Sequence, residues 1–299
     1  MAHFPIPDDL ASLTVPLWKD SAPFSQGTAP DDIPSLTLFL PEKAEAPAPA
    51  LLLIPGGGYM EHGFDSAMIA LAENFQQRGI ATFLLRYRLA SDHYHYPVPF
   101  LDAQRALRLI RHRAVKWNID PARVALMGFS AGGHLGALLA THFDFGQPEA
   151  TDPVERQGSR PDFAVLVYPL ISLQLRVSSA ADLLGSNPDP VLIRKLSAET
   201  QVTAQTSPTL LIHGLDDKIV EVRHSRLMFD ALQKASVPSE FHAYERGKHG
   251  FGCWTHDPAP DGWLDRMHAW LDRRGFYKSS LKEIPSPSLL EFSNQSAIS

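Results

Sequence analysis

Short runs of wholly apolar residues recur along this chain, each closed off by Gly, Pro or Asp, and they alternate with segments of helical period. Residues 51–54 are such a run, lying between a polar turn at 41–49 and Pro55 with the three glycines that follow it. Runs of this kind suit central strands covered on both faces. The pattern continues as a helix at 66–77, with Met68, Leu71, Ala72 and Phe75 on one face and Gly79 to stop it. A strand at 80–85 follows, then a long helix at 101–117 that spaces Ala103, Leu107, Ile110, Ala114 and Trp117 by three or four. Strands at 124–127, 163–168, 209–213 and 240–244 and helices at 131–141, 222–234 and 263–273 complete the series. This alternation predicts a mostly parallel central sheet with helices on both faces. Residues 35–40, where Leu36, Leu38 and Leu40 alternate with Thr37 and Phe39, read as an outer strand. Residues 171–207 interrupt the alternation and read as a small cap insertion over the sheet's carboxyl edge. A single domain is expected over residues 1–277, with the Ser-rich residues 278–299 as a flexible tail.

Composition narrows the function classes. The chain has 299 residues, 44% hydrophobic and 20% charged, an ordinary globular balance. With 27 Lys+Arg against 33 Asp+Glu the net charge is −6, which argues against nucleic acid or an anionic membrane as the main partner. Cys253 is the one cysteine, so neither an internal disulfide nor a Cys-rich metal site is expected. No stretch approaches the roughly 18 apolar residues of a membrane span. The first twenty residues lack a basic start followed by an apolar run, so the expected compartment is the cytoplasm.

Three segments can carry chemistry. Gly128-Phe129-Ser130-Ala131-Gly132 fits G-x-S-x-G, a pattern that composition alone produces in about one such chain in ten. Here a strand precedes it and a small-residue helix follows, the context in which a serine on a sharp strand-to-helix turn stands clear at a helix N-terminus. Pro55-Gly56-Gly57-Gly58-Tyr59, after the first central strand, can offer bare backbone N–H groups to a negative atom. A phosphate loop is the rival reading; it fails because Glu61 stands where G-x-G-x-x-G needs glycine and no Gly-Lys-Ser/Thr follows. A nucleophilic serine also needs a base and an orienting acid. His249, between Lys248 and Gly250 in the loop after the last strand, is the candidate base; Asp216 and Asp217, after the strand at 209–213, compete as the acid. His93 and His95 lack a third ligand and, with Tyr94 and Tyr96, read as a loop at the pocket entrance. His134 and His213 read as structural.

Taken together, these segments resemble the α/β-hydrolase superfamily, and more narrowly its bacterial acetyl-esterase and acetylxylan-esterase-like branch, related to the feruloyl esterases. The likeness rests on Pro55-Gly56-Gly57-Gly58-Tyr59, Leu85-Arg86-Tyr87-Arg88-Leu89, Gly128-Phe129-Ser130-Ala131-Gly132-Gly133-His134-Leu135, Ala181-Asp182-Leu183-Leu184-Gly185, Leu196-Ser197-Ala198-Glu199, His213-Gly214-Leu215-Asp216-Asp217-Lys218-Ile219-Val220 and His249-Gly250-Phe251-Gly252. It implies an α/β-hydrolase fold, with Ser130 as nucleophile, His249 as base and Asp217 as acid, and with the backbone N–H groups of Gly57, Gly58 and Ala131 as oxyanion donors. Pro55 stands where many related esterases carry a histidine that supports the loop. The expected activity is hydrolysis of short, acetyl-type esters of carbohydrates such as acetylated xylo-oligosaccharides, through an acyl-enzyme, with no metal and no cofactor. A prolyl-oligopeptidase-like peptidase, a broad short-chain esterase and a non-catalytic relative are the alternatives. The intact Ser130, Asp217 and His249 set speaks against the last of these.

Overall fold

The computed structural model describes residues 13–42, 46–63, 66–175, 178–252 and 259–277. Eight strands form one sheet: β1 (Thr14–Pro16), β2 (Ser35–Phe39), β3 (Ala48–Ile54), β4 (Ala81–Arg86), β5 (Ile119–Phe129), β6 (Phe163–Val167), β7 (Thr209–Gly214) and β8 (Ser239–Tyr244). Their order is β1-β2-β4-β3-β5-β6-β7-β8. Only β2 runs against its neighbours; from β4 to β8 every pairing is parallel. The described helices are α1 (Ser66–Gln77), α2 (Val98–His112), α3 (Ala114–Trp117), α4 (Ser130–Thr141), α5 (Ser178–Leu184), α6 (Pro190–Lys195), α7 (Arg223–Lys234) and α8 (Trp263–Arg273).

The apolar runs follow from the double covering. Along β3, Leu52 and Ile54 join one core with Leu107 and Ile110 of α2, Leu135 and Leu139 of α4 and Met228 of α7. Leu51 and Leu53 point the other way, into a second core with Phe75 of α1 and Met267 and Trp270 of α8. Successive strand residues face opposite sides of the sheet, so a strand buried on both must be apolar throughout.

Four readings of secondary structure are corrected. The segment 35–40 is not outermost, because β1 pairs with its free side through Thr14 and Thr37, and three residues of β1 are too few to show a period. The polar turn expected at 41–49 is partly strand, with β3 beginning at Ala48. The helix expected at 101–117 starts earlier, at Val98 with Pro99 in its first turn, and breaks at Arg113; beyond the break Trp117 packs on Phe83 at 5.1 Å. β5 is longer than the run at 124–127: the register jumps from Ala48↔Ile119 to Ala50↔Val124, so residues 120–123 bulge out of the ladder. The segment between β6 and β7, where a cap was expected, holds α5, α6 and a 3₁₀ turn at Ala198–Gln201. Residues 278–299, expected as a tail, lie outside the described residues, as does Cys253.

Two buried arginines tie the N-terminal segment to this frame. Arg88 grips Asp102 of α2 with Nη2–Oδ1 at 2.6 Å and Nε–Oδ2 at 2.9 Å, both side chains fully buried, and its Nη1 donates to the Pro23 carbonyl at 2.7 Å. Arg105 donates to the Leu17 carbonyl at 2.9 Å, and the guanidinium carbons of Arg88 and Arg105 lie 5.8 and 5.4 Å from the Trp18 ring centre. Tyr94, expected at a pocket entrance, is instead buried beneath Arg88 and donates its hydroxyl to Asp32. Removing one partner of a buried ion pair strands the other charge. Asp102→Ala should therefore lower stability by about 3–5 kcal/mol in denaturant unfolding, and a loss below about 1 kcal/mol would show that the pair behaves like a surface one.

Candidate active site

The serine turn is built by close backbone approach. β5 ends at Phe129 and α4 begins at Ser130, which takes φ +53°, a conformation that costs a non-glycine residue about 1–2 kcal/mol. A Cβ on Gly128 would come within 2.3 Å of the Gly132 carbonyl oxygen, and one on Gly132 within 2.3 Å of the carbonyl oxygens of Ile54 and Pro55. The G-x-S-x-G spacing is thus a steric requirement of this turn, locking the head of α4 against the end of β3.

Three candidate side chains meet there. Ser130 Oγ lies 2.8 Å from His249 Nε2, and His249 Nδ1 lies 2.7 Å from Asp217 Oδ2. All three are nearly enclosed, at 7%, 6% and 3% exposure for Ser130, His249 and Asp217. An ionised carboxylate only accepts, so His249 carries its proton on Nδ1 and presents Nε2 as acceptor to the serine hydroxyl. Asp217 Oδ1 accepts from the backbone N–H groups of Ile219 and Val220 at 2.9 and 3.0 Å. Burial pushes the Asp217 carboxyl up. The hydrogen bonds from His213 and His249, the charge His249 can carry and the Ile219 N–H outweigh it and hold the group well below the usual carboxylate range. Asp216, the competing acid, faces elsewhere: its Oδ1 accepts from the Gly247 N–H at 2.9 Å, fastening the loop that carries His249 to the end of β7.

The glycine loop lies against this group. A Cβ on Gly56 would sit 3.0 Å from both the Phe129 carbonyl oxygen and Ser130 Cβ. Gly57 has φ +120° and its carbonyl is turned into the loop, accepting from Met60 and Glu61 at 3.0 and 3.1 Å. Ala131 lies in the first turn of α4, where backbone N–H groups have no partner within the helix. A hydroxyl beside an imidazole that is backed by a carboxylate, at the head of a helix, is an arrangement chemically able to attack a carbonyl.

Supporting residues were legible as types but not as partners. The Tyr59 hydroxyl, its ionisation pushed up by burial and by neighbouring Tyr87, stays protonated and donates to His134 Nδ1 at 2.7 Å. His134 Nε2–H then reaches the Leu196 carbonyl at 2.8 Å, so the glycine loop, α4 and the segment after α6 form one hydrogen-bonded chain. The expected structural role of His134 fits this, and burial lowers its pKa to about 4. Tyr168 escaped notice as the last residue of an expected strand. It follows β6 with φ +36°, its ring centre lies 4.8 Å from that of His249, and its hydroxyl donates to the Phe251 carbonyl at 3.1 Å. Its one sequence signal was position, directly after a strand's carboxyl end. His95 Nδ1 bonds the Asp182 carbonyl at 2.9 Å, and among the described residues no group of three His, Cys, Asp or Glu could hold a metal. Among them, too, no helix is long and apolar enough to cross a membrane.

The family model described as BD-FAE matches residues 36–232. The chain belongs to that family. Among related proteins, the acetylxylan esterase of Xylanibacter ruminicola is 32% identical over 271 residues, covering 88% of this chain and 51% of that protein. Endo-1,4-beta-xylanase B of Butyrivibrio fibrisolvens is 33% identical over 235 residues, covering 77% and 36%. This BD-FAE chain thus spans about half, or less, of the length of these curated relatives. Among solved structures, an acetyl ester-xyloside bifunctional hydrolase from Caldicellulosiruptor lactoaceticus aligns with TM-score 0.82 and 38% identity over 89% of this chain and 97% of its own. An esterase of Thermogutta terrifontis, Est2, gives 0.68 and 24% over 83% and 90%, a likeness of fold alone. The BD-FAE chain has the α/β-hydrolase fold and falls in the acetylxylan-esterase-like branch.

The buried histidines set a pH dependence. His134 and His224 each have a pKa lowered by burial to about 4, and nearby positive groups add to the effect at His224. Both are neutral when folded and regain an ordinary value near 6.5 when unfolded. Unfolding therefore takes up protons between these values, and stability is lost as pH falls through that window. The loss at pH 5 is about 2 kcal/mol per histidine. Asp217, with its folded pKa depressed, loses stability only below the ordinary carboxylate range and does not mask this. The urea midpoint should drop clearly between pH 7 and pH 5, whereas an unchanged midpoint would contradict buried neutral histidines.

Proposed function

We propose that this protein is a serine carboxylic ester hydrolase that removes short acyl groups, acetyl foremost, from carbohydrate esters such as acetylated xylo-oligosaccharides. The observation that carries the reading is the 2.8 Å approach of His249 Nε2 to Ser130 Oγ on the strained turn, with Asp217 2.7 Å behind the histidine. Ser130 attacks the ester carbonyl while His249 takes its proton, and the tetrahedral oxyanion is met by the N–H groups of Gly57, Gly58 and Ala131. The alcohol departs with the proton from His249. Water, activated by the same histidine, then attacks the acyl-Ser130 carbonyl and frees the acid. Asp217, held ionised, keeps the proton of His249 on Nδ1 and stabilises the imidazolium formed in each half. The preference for acetyl on a carbohydrate is supported by the named activities of the Xylanibacter and Caldicellulosiruptor relatives. A single cysteine fits a reducing compartment such as the cytoplasm.

The test is a panel of p-nitrophenyl acetate, butyrate and octanoate beside acetylated xylo-oligosaccharides, run with a fluorophosphonate label mapped to its peptide. Acetate should be the best chromogenic ester and acetylated oligosaccharides should release acetate. Ser130→Ala should lose both the label and about 10³-fold or more of kcat. Preference for octanoate would refute the short-acyl assignment. Full activity in Ser130→Ala would refute the nucleophile.

A further inference from the structure

A second histidine touches the carboxylate that backs His249. His213 is the last residue but one of β7, four residues before Asp217, and is wholly buried. Its Nε2 lies 2.8 Å from the Val220 carbonyl oxygen and 3.3 Å from Asp217 Oδ2. Both neighbours are acceptors, so Nε2 carries the proton and divides it between them. Nδ1 is then bare and accepts from the Ser225 hydroxyl of α7 at 2.8 Å, itself wholly buried. The Val220 carbonyl and the Asp217 carboxylate therefore fix the tautomer that aims an N–H at Asp217, and the Ser225 hydroxyl polarises the ring from the other side by donating to Nδ1.

We propose that His213, its Nε2–H held between the Val220 carbonyl and Asp217 and its ring backed by Ser225, is a positioning residue that shares Asp217 Oδ2 with His249 and thereby moderates how strongly the carboxylate draws a proton onto His249. The proposal rests on the catalytic reading above. Four donors converge on the carboxylate: the N–H groups of Ile219 and Val220 on Oδ1, and those of His249 and His213 on Oδ2. That occupies the roughly four lone-pair sites of a carboxylate, so the group can neither rotate nor accept a stray proton. It also spreads the charge that would otherwise be concentrated on His249. The titratable and charged groups around His213 are Asp217 on the β7–α7 turn, His249 behind it, and His224 on α7, which is itself acted on by His134 and Arg223. His224 Nδ1 is occupied by the N–H groups of Ile171 and Ser172, each at 3.2 Å, and its lowered pKa leaves it neutral at working pH.

Withdrawing the His213 N–H leaves more negative charge facing His249. The histidine–carboxylate pair then keeps its proton to higher pH, so the acid limb of kcat/KM moves upward. A residue that merely filled space would lower activity without moving that limb. The experiment is kcat and KM for p-nitrophenyl acetate from pH 5 to 9 in wild type, His213→Leu, His213→Gln and Ser225→Ala. In His213→Leu, kcat should fall about tenfold or more, with KM nearly unchanged and the acid limb raised by about half a pH unit or more. His213→Gln, which can restore an N–H, should return the limb toward wild type. Ser225→Ala, which removes the donor to Nδ1 and so weakens the Nε2–H bond to Asp217, should raise it by a smaller amount. An unmoved acid limb in folded His213→Leu overturns the proposal. Should that variant not fold, an unmoved limb in Ser225→Ala, which removes only a hydroxyl, overturns it equally. Ser130→Ala, run alongside, separates the two failures: activity there sinks the catalytic reading itself, whereas inactivity with unmoved limbs sinks only the role of His213.

Discussion

The head of α4 can meet the end of β3 only if Gly128 and Gly132 carry no side chains and Ser130 accepts a left-handed backbone. From that contact the rest of the site takes its place. β5, β6, β7 and β8 are successive parallel neighbours, and their carboxyl ends deliver Ser130, Tyr168, Asp217 and His249 in the same order along one edge. Strands are spaced about 4.8 Å apart, so β8 starts roughly 14 Å from β5. The loop bearing His249 must therefore fold back across β6 and β7. Asp216 holding Gly247, and Tyr168 lying against the imidazole, are what that return requires. Gly214 and Gly247 meet on the same path, where a Cβ on Gly214 would fall 1.7 Å from the Gly247 carbonyl oxygen.

Around this edge the buried polar groups divide into two kinds. His134 and His224 stay neutral because burial penalises their charged form and each ring is spent on neighbours. Asp217 stays charged because its donors outweigh the same penalty. A single carboxylate held ionised among neutral rings gives the proposed serine–histidine pair one nearby counter-charge.

Much of this was legible in the amino-acid order, for identifiable reasons. The apolar runs of β3, β6 and β7 announced a sheet covered on both sides, since they are strand-length, bounded by turn residues and alternate with segments of helical period. The serine turn was readable because its glycines answer a steric need. Contacts between distant segments were not readable. Whether Asp216 or Asp217 faces His249 depends on how the turn after β7 rolls, which adjacent, identical residue types cannot reveal from chemistry alone; the family spacing pointed to Asp217, and the geometry puts it there. Tyr168 gave no pattern because one residue's φ decides its direction. β1 was hidden for a related reason: it is held by its ladder partner β2, not by its own hydrophobicity, while residues 120–123 of β5 lie outside the ladder and follow no strand period.

The N-terminal clamp bears on where this molecule can be cut. The stretch shared across the family begins at residue 36, beyond Leu17, Trp18 and Pro23, and ends at residue 232, ahead of β8 and His249. A fragment trimmed to it would leave the guanidinium of Arg88 without the Pro23 carbonyl and the Trp18 face that close over it, and β7 without its outer neighbour. The matched stretch is therefore smaller than the packed structure, and a fragment excised for fusion or grafting keeps these contacts only if it retains residues 17–23 and the last strand–helix pair.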